Sequence, residues 1–136
     1  MRILQPADWS RPKGYANGIE ATGRLVFIAG QIGWNKEGRF ERHDFAGQFE
    51  QTLKNILIVL REASAGPEHI VRMTWFVTDK HAYLSDAKRV GEIYRTLMGR
   101  NFPTMSVVQV VALVEDDALV EIEATAVVPV TVLRSS

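Results

Sequence analysis

Cysteine is absent from the chain. That excludes disulfides, thiolate nucleophiles and cysteine-ligated zinc, and it is compatible with a reducing compartment. A charge excess of either sign is missing too, since 16 Lys and Arg are matched by 16 Asp and Glu. No overall field would draw the molecule to nucleic acid or to an anionic membrane. No apolar run approaches the roughly 18 residues of a membrane span. The opening stretch MRILQPADWSRPKGYANG carries charges and prolines where a secretory signal would keep an apolar core. GxSxG, Walker A and HExxH patterns are lacking. His43, His69 and His81 have no metal-ligand spacing and read as ordinary surface or cap residues. Trp9, Trp34, Phe40 and Trp75 are not interleaved with a basic patch, so they read as packing residues and not as base-stacking ones. The expectation is a cytoplasmic globular protein, one domain over residues 1–136, with no metal and no membrane partner, and with nucleic acid disfavoured. A chain of this length can bury roughly two-thirds of its unfolded surface without staples.

What is present is a well-patterned α+β chain. Residues 1–17 hold Pro6, Pro12 and Gly14 and should form an extended arm or loop. Gly18–Ala21 and Arg24–Ala29 read as two short strands across a Thr22-Gly23 turn. The apolar run Leu25-Val26-Phe27-Ile28-Ala29 marks a central, buried strand. Gly30 and Gly33 then permit a left-handed backbone or close approach of another group, although a plain strand exit is the simpler reading. Asp44 can cap a helix running to about Ala65, with Phe45, Phe49, Leu53, Ile56, Leu57 and Leu60 on one face and Gln48, Glu50, Gln51, Lys54 and Arg61 mostly opposite. Gly66-Pro67 stops it.

Ile70–Thr78 is the next strand. Ser85 or Asp86 starts a second helix, whose inner face is Leu84, Ala87, Val90, Gly91, Tyr94 and Leu97 and which Gly99 ends. Thr104–Val114 and Leu119–Val128 then read as a final hairpin across Glu115–Ala118, and residues 129–136 as a loosely held tail. Neither face of the first of these strands is properly polar, so it requires cover on both sides. In the second, Glu121, Glu123 and Thr125 share a face. By periodicity alone, those carboxylates mark a solvated sheet face. The order β-β-α-β-α-β-β, with two helices on one face of a mixed sheet, predicts an α+β sandwich. Its uncovered sheet face is the natural site of self-association, and clefts between copies are natural ligand sites.

Several stretches together carry a resemblance. They are Lys13–Gly18, Leu25–Ile32, Val71 with Trp75-Phe76-Val77-Thr78-Asp79, Phe102-Pro103 and Val120–Val127. In order and spacing, over about residues 12 to 129, the chain resembles the Rid family of reactive intermediate imine/enamine deaminases, also called YjgF-type or L-PSP endoribonuclease-like proteins. The resemblance implies a chorismate mutase-like subunit, a homotrimer, and a small-molecule site in each of three inter-subunit clefts. It implies hydrolysis of a small imine or enamine without a cofactor. It places Tyr15 in the pocket wall and the Gly30 amide against substrate, and makes Glu121 the general base that holds the attacking water, with Glu123 structural.

Three positions depart from that pattern. Met105 stands where the family's active deaminases carry an arginine that grips the substrate carboxylate, and a thioether cannot replace a guanidinium fork. Ala29 replaces the usual serine, and Val107 stands where cysteine is frequent. With Met105 and Val107 lining it, the substrate-binding wall is more apolar, and weak or no activity on 2-aminoacrylate is expected. Arg39, Arg72, Lys88 and Arg100 are candidates for a replacement cation that spacing alone does not separate. The expected function is deamination of a different imine or enamine, for example a larger, aminomuconate-like intermediate. The alternatives are a non-catalytic trimer that binds a small molecule or a partner and, more weakly supported, an endoribonuclease.

Overall fold

The computed structural model describes residues 1–130. The tail expected beyond Pro129 therefore falls, from residue 131, outside the described residues. The elements in order are β1 (Arg2–Leu4), β2 (Gly18–Glu20), β3 (Arg24–Ile32), α1 (Phe45–Glu62), β4 (Ile70–Val77), α2 (Lys80–Ser85), α3 (Ala87–Met98), β5 (Thr104–Gln109) and β6 (Val120–Val128). A single 3-10 turn, Pro67–His69, precedes β4.

Four strands form a mixed sheet in the order β3-β6-β4-β5. β6 runs antiparallel to both neighbours, and β4 runs parallel to β5. The architecture is the expected α+β sandwich, with three corrections. β3, expected to be a central, buried strand, lies at one edge of the sheet with Leu25 and Phe27 exposed. β5 and β6 are not a hairpin: β6, the last strand, inserts between β3 and β4, while β5 lies at the sheet edge. The first of the two also stops at Gln109, and Val111 and Val114 are fully exposed in the connection to β6. The Thr22-Gly23 hairpin is corrected as well. β2 pairs with β1, through Ile3 opposite Ile19, and not with β3. The N-terminal arm is extended as expected, but its first residues are a strand.

Alternation decides which side of the sheet is closed. Ile122, Ala124 and Ala126 of β6 are buried and share a face with Ile28 of β3 and with Met73, Trp75 and Val77 of β4. Phe45, Phe49, Leu53, Ile56 and Leu60 of α1 and Val90, Tyr94 and Met98 of α3 complete the same core. Asp44 caps α1, with the Gly47 amide donating to its Oδ2 at 3.3 Å and Arg89 Nη1 donating to the same oxygen at 2.8 Å. Partial burial pulls that carboxyl upward, but the Gly47 amide and the Arg89 guanidinium outweigh it and hold the group below its ordinary value.

Two further details differ from the sequence expectation. Gln48 is not on the polar face of α1 but fully buried. Its side-chain amide donates to the Arg42 and Asp117 carbonyls at 3.2 and 2.9 Å, while its oxygen accepts from the Leu119 amide at 2.8 Å. A buried amide with this many partners is fully used, and it fastens the segment that leads into β6. Of the inner face expected for the second helix, Leu84 lies in α2 and is exposed, Ala87 at the start of α3 is also exposed, and Met98 at its end is buried. A short helix, α2, precedes it, capped by Asp79 accepting from the His81 amide at 2.9 Å.

Candidate functional site

Two groups of side chains are assembled on opposite faces of the sheet. The first begins in β6, where Val120 and Ile122 turn inward and Glu121 and Glu123 turn to the open face. Opposite them β3 carries a bulge. Ile28 pairs with Ala124 and Gln31 with Ile122, so Ala29 and Gly30 together face the single residue Glu123. The bulge brings the backbone of Gly30 under the Glu121 side chain. A Cβ at Gly30 would lie 2.8 Å from both Cδ and Oε2 of Glu121, so that side chain would have to move aside. Gly33 is more firmly committed, since a Cβ there would lie 2.7 Å from the Gln48 carbonyl oxygen. The simpler reading of these glycines as a plain strand exit is thus corrected: Gly33 is required by close approach of the Gln48 backbone, and Gly30 leaves room for Glu121. Glu121 is half-buried and Glu123 exposed.

The second group forms around β5. The arm preceding β2 is tied to it by the Ala16 amide donating to the Pro103 carbonyl at 3.0 Å and by a parallel bridge between Ala16 and Thr104. This sets Tyr15 beside the strand. In β5, Met105 pairs with Met73 and Val107 with Trp75, so both turn to the helix-covered side. Tyr15, Met105 and Val107 line one cavity of about 530 Å³ with Trp75, Tyr94 and Phe102. The aromatics pack in a continuous series, Phe49 to Trp75 at 4.7 Å and Trp75 to Tyr94 at 6.4 Å with tilted rings, and Tyr94 stacked on Phe102 at 5.9 Å between ring centroids. The Tyr94 hydroxyl donates to the Asn101 carbonyl at 2.6 Å, and burial pushes its phenol well above the ordinary tyrosine range.

Within one chain, then, Tyr15, Met105 and Val107 come together, and Gly30 and Glu121 come together, but the sheet separates the two groups. Of the candidate cations, Arg72 reaches a smaller hollow of about 210 Å³ that Tyr15 and Met105 also line. It also borders a hollow on the open face beside Glu123 and Thr125. Arg39, Lys88 and Arg100 are not among the residues lining the 530 Å³ cavity. The charges that do line it are Lys13 and Arg95, which the sequence reading passed over. The available signal was Gly91, an isolated glycine within a helical pattern, one turn before Arg95. His69 is a cap residue, its Nδ1 accepting from the Gly66 amide at 3.0 Å. Trp75 lies in the core and Trp34 packs against Phe40, whereas Trp9 is exposed. Among the described residues, no helix is long and apolar enough to cross a membrane.

Comparison with known proteins agrees with this architecture. The family described as endoribonuclease L-PSP matches residues 9–128. A RutC family protein of Synechocystis sp. is 34% identical over 137 residues, covering 95% of this chain and 98% of its own length. The 2-iminobutanoate/2-iminopropanoate deaminase of Rattus norvegicus is 32% identical over 105 residues, 76% of this chain and 73% of that one. A solved structure of a Rid family protein from Yersinia pestis superposes with a TM-score of 0.82 at 31% identity, covering 93% of this chain and 98% of that one.

Proposed function

The chain belongs to the endoribonuclease L-PSP family, in common with RutC and Rid proteins, and from that premise we propose that it deaminates a small imine or enamine metabolite other than 2-aminoacrylate by cofactor-free hydrolysis. The observation that carries this reading is the seating of Glu121 on Gly30. A half-buried carboxylate beside a backbone with no side chain of its own leaves room for a water and a substrate to meet it, as a general base requires.

In the proposed reaction Glu121 accepts a proton as water adds to the C=N carbon. That proton passes to nitrogen, giving the neutral carbinolamine; the hydroxyl proton then moves through Glu121 to the amino group, and ammonia leaves as the C=O bond forms. Glu121 and the Tyr15–Met105–Val107 wall lie on opposite faces of one sheet, so the reading requires a second copy of the chain. One copy supplies Glu121 and Gly30, its neighbour supplies Tyr15, Met105 and Val107, and a closed homotrimer gives three such clefts. The exposed apolar side chains of the open face support that assembly. The compartment fitting this chemistry is the cytoplasm. Met105 in place of a guanidinium favours a substrate bound differently from 2-aminoacrylate.

The test is ammonia release across a panel of imines generated in solution, with wild type compared to Glu121→Gln. The expected loss in kcat on the preferred imine is about 10²- to 10⁴-fold, the usual contribution of a positioned general base. Equal inertness of both proteins on every imine would overturn the reading. It would leave the second one, a trimer that binds a small molecule without turnover, which the replacement of the gripping arginine by Met105 favours.

A further inference from the structure

The wall of the 530 Å³ cavity contains two cationic side chains, Lys13 and Arg95, and no carboxylate. Neither cation forms an ion pair among the described residues. The rest of the wall is mainly aromatic and apolar, with Tyr15, Trp75, Tyr94, Phe102 and Met105 prominent.

Arg95 reaches the cavity by lying back along α3. Gly91 is one turn before it, and a Cβ at that position would meet Arg95 Nη1 at 3.4 Å, an ordinary van der Waals contact. The guanidinium therefore rests over Gly91, where a long side chain would compete with it for space. A volume of about 530 Å³ also falls within the roughly 300–1,000 Å³ typical of sites for drug-sized ligands.

From these observations we infer that the cavity takes a carboxylate bearing an aromatic or comparably bulky apolar group, and that Arg95, lying over Gly91, is its anion anchor. A planar guanidinium can grip a carboxylate through two parallel hydrogen bonds, and the aromatic wall receives the apolar body. Lys13, on the arm, adds a second positive charge. This rests on the hydrolase reading above and names the substrate class of the same site: 2-imino acids with large apolar side chains, leaving as the corresponding 2-oxo acids.

Binding of stable 2-oxo acids tests the inference without requiring turnover. Titration calorimetry on the intact protein should show phenylpyruvate binding at least about tenfold more tightly than pyruvate, which lacks the ring, and than phenylacetone, which lacks the carboxylate. Arg95→Gln should weaken phenylpyruvate about tenfold or more, Arg95→Lys should restore part of that, and Gly91→Leu should weaken it with the helical signal retained. Arg72 is the competing cation. A loss seen in Arg72→Gln and not in Arg95→Gln would overturn the assignment, as would equal affinity for pyruvate or tighter binding of AMP. Turnover is read separately, as ammonia release from the imine of phenylalanine. Binding through Arg95 with no ammonia released from this imine or any other of the panel keeps the anchor assignment and sinks the hydrolase reading. Hydrolysis with KM unchanged in Arg95→Gln sinks this inference and keeps that reading.

Discussion

The two faces of the four-stranded sheet are built from the same strands and meet different fates. On the covered face, Ile122 and Val77 are 0% exposed and lie beneath Phe49 and Leu53 of α1. On the other face Phe27 is 73% exposed and Leu25 62% exposed, beside Glu121, Glu123, Thr125, Thr74 and Ser106. Large apolar side chains interspersed with carboxylates and hydroxyls are poor material for a protein interior and suitable material for a wet, specific contact between copies. One face therefore holds the chain together. The other, on the reading above, holds the assembly together, and Glu121 belongs to it.

That contrast can be tested in order of effect on folding. Truncating the covered face should cost most. Phe49→Ala removes a fully buried ring and should lower the unfolding free energy by about 3–5 kcal/mol in urea titrations. A smaller effect, about 1 kcal/mol, is expected for Asp44→Ala, which removes the cap of the helix that does the covering. Its sign with pH is fixed by geometry. The folded-state value of Asp44 lies below its ordinary value of 3.8, so the stability it adds is present above that pH. It fades as acid protonates the folded carboxylate, and the melting-temperature gap between wild type and Asp44→Ala should close as pH falls from 7 to 3. On the open face, Phe27→Glu should change subunit stability by less than about 0.5 kcal/mol. Light scattering should nonetheless report a smaller particle. An unchanged particle mass would end the division of labour between the faces.

The covered face was legible in the sequence because burial imprints periodicity. The 3.6-residue spacing from Phe45 to Leu60 and the alternation through Met73, Trp75 and Val77 each follow from a single local rule. Strand order was not legible. β5 and β6 are apolar neighbours in sequence separated by a polar turn, and nothing local distinguishes a hairpin from two strands with β4 between them. Gln48 was misplaced for a related reason. Its type favours the surface, and two of its three partners, Asp117 and Leu119, are some 70 positions away in sequence. For the site, Glu121 and Gly30 were identifiable by resemblance, but their contact depends on a bulge that alternation does not encode. Arg95 was missed because only the fold brings it beside Lys13, Tyr15 and Phe102 in one cavity wall.

The insertion of β6 between β3 and β4 has a consequence for synthesis. Until the ribosome has delivered Val120–Val128, β3 and β4 have no shared partner, and the halves of the sheet remain apart with their edges open. The nascent chain can form α1 and the β4–β5 pair, but it cannot close. Completion is thus a late, long-range event, and truncations just before Val120 should yield insoluble fragments in place of a smaller fold.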